Sequence, residues 1–111
     1  MRPGDVVICA FPGAHLTKTR PAVVLSSESY HDSRGDVILS VVTSKIPAVP
    51  TASDYLLSDW ADAGLRTPSV FRLFLVTLPV SEARGIGRLS SSDWAGVRAC
   101  CKSGLSEAVA G

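Results

Sequence analysis

The chain has 111 residues, of which 46% are hydrophobic and 19% charged, and its formal net charge is +1. This composition is typical of a globular protein, so we expect one domain over residues 1–111 and neither a disordered chain nor a polybasic nucleic-acid arm. No apolar run approaches the length of about 18 residues that a membrane span needs. The first residues lack the pattern of a signal peptide, and the expected location is therefore the cytoplasm, with no membrane contact.

The spacing of cysteine and histidine argues against a metal site or a disulfide framework. Cys9 lies in an apolar run, and Cys100 and Cys101 are neighbours whose side chains point apart on any regular element. His15 and His31 are far apart in the sequence, and no C-x-x-C pair occurs. We therefore expect three reduced thiols, no metal and no cofactor.

Three short apolar runs dominate the first part of the chain and predict strands. They cover residues 5–11, 21–26 and 36–43, and turn-forming residues bound them. Their nearly continuous apolar character indicates burial on both faces. A polar, turn-rich stretch at 27–35 connects the second run to the third, and the two prolines within 45–52 indicate a loop.

The second part of the chain mixes strand and helix patterns. Residues 54–57 predict a short strand, 59–65 a single helical turn, and 69–78 and 85–89 two more strands. A helix is expected from about residue 92. Its predicted buried face has apolar residues at helical spacing: Trp94, Val97, Cys101, Leu105 and Ala108. Strands this close together favour an antiparallel sheet or small barrel, so the predicted class is α+β, mainly β.

Seven short segments occur in an order and spacing that carry a family resemblance. They are residues 4–6 (GDV), 11–12 (FP), 18–25 (KTRPAVVL), 42–44 (VTS), 63–65 (AGL), 68–70 (PSV) and 86–89 (IGRL). This arrangement, from Gly4 to Trp94, resembles the MazF/PemK toxins of bacterial type II toxin–antitoxin modules. The resemblance implies an SH3-like barrel of antiparallel strands with a C-terminal helix. It also implies a homodimer and a cognate antitoxin whose tail occupies the RNA groove.

The activity that the resemblance implies is sequence-specific, ribosome-independent cleavage of single-stranded RNA, with mRNA the expected class. Such cleavage proceeds without metal: the 2′-hydroxyl attacks the adjacent phosphorus and leaves a 2′,3′-cyclic phosphate and a 5′-hydroxyl. Carboxylates are scattered along this chain, which agrees with a metal-free route.

Arg20 is the first expected catalytic residue. It immediately precedes Pro21, which restricts Arg20 to extended backbone at the mouth of a buried strand. A guanidinium held there suits a phosphate whose charge grows during phosphoryl transfer. The resemblance places the catalytic arginine at this position, and the alternative is a surface arginine in an ion pair.

Thr43 is the second expected catalytic residue, and Ser44 is an expected RNA contact. Taken alone, Thr-Ser at a strand end predicts a cap or a turn, but its hydroxyls can also donate to phosphate oxygens. The resemblance places an active-site threonine at Thr43.

Arg72 is the third expected catalytic residue. A charge inside an apolar strand needs a partner or an open groove, and alternation puts Arg72 on one face with Val70 and Phe74. Some PemK-type relatives have a catalytic arginine here, followed two residues later by an acidic candidate base. This chain has Phe74 at that position, so the family's proton acceptor is missing, and Phe74 is a candidate stacking surface for an RNA base.

The loop after the first strand is expected to border the RNA. Phe11 and Pro12 begin this loop, and it runs through His15 to Lys18. An aromatic ring beside a cation is how proteins hold single-stranded nucleic acid, although Phe11 fits a core position equally well. His15 is the candidate general base, because its unperturbed pKa is about 6.5.

Two other functions fit the same fold. A CcdB-like toxin would inhibit DNA gyrase; the absence of an aromatic residue in 106–111 argues against it, while the departure at Phe74 keeps it open. A non-catalytic SH3-like module would bind RNA or an acidic partner through Arg20 and Arg72 without cutting. Since the excess of arginine over lysine resolves into these two well-placed positions rather than a basic surface, we expect modest RNA affinity and a shallow salt dependence.

Overall fold

The computed structural model of the chain describes residues 1–12 and 17–109. Its six strands are β1 (Asp5–Pro12), β2 (Thr17–Val24), β3 (Asp36–Thr43), β4 (Asp54–Leu56), β5 (Val70–Pro79) and β6 (Arg84–Arg88). Its helices are α1 (Glu28–Arg34), α2 (Ser91–Gly104) and the short α3 (Ser106–Val109), with a 3₁₀ turn at Val80–Glu82. The α+β, mainly β class is confirmed. No helix within the described ranges is long and apolar enough to cross a membrane.

All strand pairs are antiparallel, in the order β4-β5-β3-β2-β1-β6. Within the described residues, the edge strands β4 and β6 do not pair with each other, so the predicted barrel is a curled, open sheet rather than a closed one.

A wide bulge in β5 contributes to the curl. Three consecutive β5 residues, Arg72 to Phe74, lie opposite the single β3 residue Val41. The buried Ser40 fills the gap: its hydroxyl donates to the carbonyl of Arg72 and accepts from the amide of Phe74 at 2.9 Å. Ser40 thus forms hydrogen bonds with two backbone groups where the β3–β5 pairing is interrupted. Buried backbone groups without a hydrogen-bond partner would be costly there.

The sheet buries residues on both of its sides, as the apolar runs predicted. The side packed against α2, here called the helix face, has the core residues Val6, Val23, Val42, Leu57, Ala63, Phe71, Leu89, Val97 and Cys100. The opposite side, here called the open face, has Val7, Cys9, Phe11, Ala22, Val24, Val37 and Leu39. Because successive strand residues point to opposite sides, adjacent valines such as Val6 and Val7 enter different cores. Each fully buried valine or leucine contributes about 1.5–3 kcal/mol.

The prediction of a turn-rich connection at 27–35 was wrong, because the segment contains α1. Ser27 caps the helix by accepting from the amide of Tyr30 at 3.2 Å, and Gly35 ends it with φ of +72°. Only His31 of this helix is buried, where its Nε2 lies 2.6 Å from the hydroxyl of Ser26. With one buried position, the helix has no apolar stripe that the sequence could reveal.

The segment predicted as a helical turn, 59–65, forms a turn without becoming a helix. The amide of Ala63 donates to the carbonyl of Asp59 at 3.2 Å, whereas the amide of Leu65 reaches back to Trp60 at 3.1 Å. The second bond spans one residue more than an α-helical bond, so the helical pattern stops after a single turn.

The buried face of α2 is only partly the one predicted: Val97 is buried, and Trp94 and Cys101 pack against the same core. Its buried residues are Asp93, Val97 and Cys100, while the predicted residues Trp94, Cys101 and Leu105 are half-buried and Ala108 is exposed. The reason is the pair of glycines on this helix: a Cβ on Gly96 would overlap the ring of Tyr55, and one on Gly104 would overlap the end of Leu73. The helix therefore packs through small residues that an apolar count ignores.

Candidate active site

The three expected catalytic residues come from three adjacent strands. Arg20 pairs with Cys9 across β1 and β2, Thr43 ends β3, and Arg72 begins the β5 bulge. All three line one cavity of about 300 Å³. The other residues that line this cavity are Phe11, Val41, Lys45 and Phe74. The fold thus brings together side chains that are more than fifty positions apart in the sequence.

A second cavity, of about 620 Å³, adjoins the first and shares Arg20, Thr43 and Lys45 with it. Two more of the expected RNA contacts, Lys18 and Ser44, line this larger cavity. One of its walls is the segment 64–67, which follows the turn between β4 and β5 and includes Arg66 and Thr67.

The two cavities have a strongly one-sided charge. Their basic lining residues are Lys18, Arg20, Lys45, Arg66 and Arg72. Within the part of the chain that the structure describes, no Asp or Glu lines either cavity. Cations gathered in a concave site raise the local concentration of anions even when the net charge is only +1. Of these five cations, Arg20, Arg72 and Lys18 were expected at the site from the sequence, and Lys45 and Arg66 were not.

Arg72 has a carboxylate neighbour that sequence reasoning missed. Its Nε lies 3.7 Å from Oδ1 of Asp54, the residue opposite it on β4. The Asp54 side chain is 8% exposed, and its Oδ2 accepts from the amide of Thr51 at 2.9 Å and from the Thr51 hydroxyl at 3.1 Å. Since the ion pair uses Nε, the terminal nitrogens of Arg72 stay available to a phosphate. Asp54 lines neither cavity, so its place is beside Arg72 rather than beside the reacting atoms.

Thr43 also shapes the site through its side chain. Its Oγ1 accepts from the amide of Lys45 at 3.1 Å, which turns the chain at the end of β3 and brings Lys45 to both cavities. The hydroxyl proton of Thr43 is not used in this bond and can be donated to a phosphate oxygen. Thr43 therefore has the turn-forming role, and its phosphate-binding role stays a prediction.

Nearly the whole chain matches one protein-family model. Residues 2–104 match the family described as PemK-like, MazF-like toxin of type II toxin–antitoxin system. The chain belongs to this toxin family.

Solved structures with the same fold include several such toxins. The chain is similar to a MazE–MazF complex from Deinococcus radiodurans (24% identity, TM-score 0.72, 96% of each chain covered). It is also similar to the Mycobacterium tuberculosis toxin MazF-mt6 (23%, TM-score 0.69, 95% of this chain and 97% of that one). A third is an endoribonuclease in complex with its cognate antitoxin from a mycobacterial species (15%, TM-score 0.71, 96% and 95%). No curated protein sequence gives a match. At these identities the structural likeness concerns the fold.

The two aromatic residues of the toxin's smaller cavity differ in exposure. Phe11 is 7% exposed and belongs to the open-face core, so its side chain is largely a core residue that also lines the cavity. Phe74 is 64% exposed, which suits a stacking surface. Pro12 ends β1, and His15 lies outside the described residues.

Lys45, Arg66 and Thr67 are lining residues of the toxin that sequence reasoning did not single out. Arg66 and Thr67 directly follow the segment Ala63–Gly64–Leu65, which carried part of the family resemblance, so their position was the available signal. Lys45 offered no such signal, because the sequence of a Pro-rich loop does not show which side chain lines a cavity.

The described residues of the toxin hold neither a metal-binding cluster nor an activated Cys9 thiol. No group of three or more His, Cys, Asp or Glu side chains there is arranged to hold a metal ion. Cys9 lies in the open-face core, and burial raises the pKa of its thiol above the ordinary value of 9.0. A protonated, buried thiol is a poor nucleophile, so Cys9 is a packing residue.

Proposed function

We propose that this toxin is a metal-independent endoribonuclease that cleaves single-stranded RNA. The observation that carries the proposal is the joint lining of one cavity by Arg20, Thr43 and Arg72, with the exposed ring of Phe74 beside them. Two guanidinium groups and a hydroxyl are donors suited to the oxygens of a single phosphodiester group.

In the proposed reaction, the substrate's own 2′-hydroxyl attacks the adjacent phosphorus and the 5′-oxygen leaves. Arg20 and Arg72 bind the non-bridging oxygens, where negative charge grows in the transition state. The Thr43 hydroxyl donates a hydrogen bond to the same phosphate and fixes the orientation of that phosphate. The proton acceptor removes the 2′ proton, and the leaving 5′-oxygen takes up a proton from the Arg20 guanidinium or from water. The products are a 2′,3′-cyclic phosphate and a 5′-hydroxyl.

The proposed proton acceptor is His15, because an unperturbed imidazole, with a pKa of about 6.5, suits a general base near neutral pH. Asp54 is a weaker candidate, because its Oδ2 is bonded to Thr51 and the residue lines neither cavity. Replacing His15 with Gln should remove the acidic limb of the pH–rate profile. A variant that keeps the wild-type profile would exclude His15 as the base.

The larger cavity is the proposed site for the nucleotide next to the scissile bond. Lys18 and Arg66 provide cations there, and Ser44 and Thr67 provide hydroxyls. Hydroxyls bond to base edges or to the 2′-hydroxyl, and the cations bind the next phosphate.

Incubation of the purified toxin with a mixed pool of single-stranded RNAs in EDTA tests the proposal. We expect cleavage without metal and fragments that carry 2′,3′-cyclic phosphate and 5′-hydroxyl ends. A requirement for Mg²⁺, or fragments with 3′-hydroxyl ends, would contradict the mechanism. RNA binding without any cleavage would instead indicate a non-catalytic RNA-binding module.

The proposed partners are a cognate antitoxin and a second copy of the toxin. The five cations and the exposed ring of Phe74 suit an acidic, apolar antitoxin tail, which would occupy the cavities and exclude RNA. A saturating amount of antitoxin should abolish cleavage, and a saturated complex that still cuts would contradict this assignment. For the homodimer, light scattering should give twice the chain mass of 11.6 kDa.

A further inference from the structure

A fully buried carboxylate on α2 connects the helix to the segment that leads to the larger cavity. Asp93 is 0% exposed, and its Oδ1 accepts from the hydroxyl of Tyr55 and from the amide of Ser58, both at 3.0 Å. Its Oδ2 accepts from the amide of Asp59 at 2.8 Å. A buried carboxylate needs such partners, and here they come from the chain between β4 and the turn at 59–65.

The bonds of Asp93 depart from those of an ordinary helix start. Ser90 caps α2 by accepting from the amide of Asp93 at 3.2 Å, which is one half of a capping box. In the complete box, the acidic side chain returns to the amide of the cap residue, but here it bonds to Ser58 and Asp59 instead. The first turn of a helix favours a negative charge, so Asp93 is well placed to hold a neighbouring loop.

The loop that Asp93 holds is also fixed at its far end. A Cβ on Gly64 would overlap the carbonyl of Ile86, and one on Gly87 would overlap the carbonyl of Ala63, so this backbone lies directly against β6. Between the two ends, the bond from Leu65 to Trp60 closes the turn. Residues 64–67 thus continue from a turn that is attached to Asp93 on one side and lies against β6 on the other.

We propose that Asp93 is a positioning residue of the cleavage site. It fixes Ser58 and Asp59, and through the turn it holds the 64–67 wall of the cavity that Arg20 and Thr43 also line. Its effect on RNA cleavage rests on the proposed function, whereas its effect on the wall does not. Asp93 itself lines neither cavity, so it acts through Arg66 and Thr67.

The first test is hydrogen exchange in Asp93→Asn, with Tyr55→Phe as the matched control. The asparagine replaces one acceptor oxygen by a donor that faces a backbone amide, whereas Tyr55→Phe removes one bond to the same carboxylate and keeps both amide bonds. We expect faster exchange at Ser58, Asp59 and 64–67 in Asp93→Asn and unchanged exchange there in Tyr55→Phe. Asp59→Pro, which removes the amide bonded by Oδ2, should reproduce the faster exchange at 64–67 if Asp93→Asn does not fold.

The second test is a kinetic double-mutant cycle with Arg66→Ala. Because the wall binds flanking RNA rather than the reacting atoms, Asp93→Asn should raise KM on the order of tenfold and change kcat much less. If Asp93 acts through Arg66, the rise in KM should largely disappear in the Arg66→Ala background.

The outcomes separate the two proposals. Unchanged exchange at 64–67, or independent effects of the two substitutions on KM, would overturn the positioning role while leaving RNA cleavage intact. A wild-type toxin that cuts no RNA would overturn the proposed function, and the exchange comparison would still decide whether Asp93 holds the wall.

Discussion

The helix face and the two cavities differ in whether the fold supplies hydrogen-bond or ion-pair partners for their charged side chains. On the helix face, the fully buried carboxylate of Asp93 has three hydrogen-bond partners. In the cavities, five cations line the surface, and the carboxylate of Asp54 contacts Arg72 from outside the cavities. A buried charge depends on the partners that the fold supplies, and a charge left facing a cavity is available to a ligand.

From this difference we expect that removing a cavity cation lowers the rate of RNA cleavage and leaves the free energy of unfolding nearly unchanged. Arg20→Ala should lower the cleavage rate by about a hundred- to a thousandfold, the usual effect of losing one transition-state donor. Its free energy of unfolding should change by less than about 0.5 kcal/mol. Single-turnover cleavage and urea denaturation measure the two effects. Arg34→Ala, an exposed arginine in the last turn of α1, is the control, and equal activity of both variants would remove Arg20 from the mechanism.

On the helix face, by contrast, a single methyl group should affect stability. Gly96→Ala gains about 1 kcal/mol of helix propensity, yet its Cβ would overlap the ring of Tyr55, so we expect a net loss of about 1–3 kcal/mol. The matched control is Gly104→Ala, whose Cβ would overlap only the end of the Leu73 side chain, which can rotate away. Urea denaturation of both variants measures the difference, and equal stabilities would contradict the close packing of α2.

Buried acids on the helix face should also make stability depend on pH. Burial raises the pKa of Cys100 above 9.0, and burial together with the bond to Asp93 raises the pKa of Tyr55 above 10.0. Because the native state holds these protons more tightly than the unfolded chain, stability is complete below about pH 9 and falls as the pH rises beyond it. Tyr55→Phe should remove the part of this loss that begins near pH 10. A free energy of unfolding that stays constant up to about pH 11 would contradict the prediction.

The smallest expected effect is on the salt dependence of RNA binding. With five cations, the slope of log affinity against log salt should be no steeper than about −3.5, since each phosphate contact on a single strand contributes about −0.7. Arg66→Ala should make the slope shallower by about 0.7, and Arg34→Ala should leave it unchanged. Fluorescence anisotropy with an RNA that has a 2′-deoxy group at the scissile position measures it. A much steeper slope would require a phosphate-binding surface beyond the two cavities.

Much of the fold was predictable because it follows from local chemistry. The strand at 36–43 matches β3 residue for residue, since turn-forming residues bound an apolar run of strand length. The helix α1 was missed because a single buried histidine gives no periodic pattern. The buried face of α2 was predicted only in part, because some of its contacts run through Gly96 and Asp93, which no hydrophobic pattern counts.

The site divides in the same way. Arg20, Thr43 and Arg72 were identified in the sequence because each stands at a strand position where its residue type is unusual or matches the family pattern, and their catalytic roles stay predictions. Their shared cavity, the approach of Asp54 to Arg72 and the inclusion of Arg66 follow from the strand register and from a bulge filled by Ser40.

The sequence by itself determined the family, the strands and the residues with suitable chemistry, because these depend on neighbours within a few positions. Only the tertiary structure decided which charges face one another and which face open space. Asp93 and Asp54 look alike in sequence, yet one is enclosed by hydrogen bonds to a distant loop and the other lies beside a cavity arginine. That difference arises because the partners are more than fifteen positions away along the chain, and only the folded sheet brings them within bonding distance.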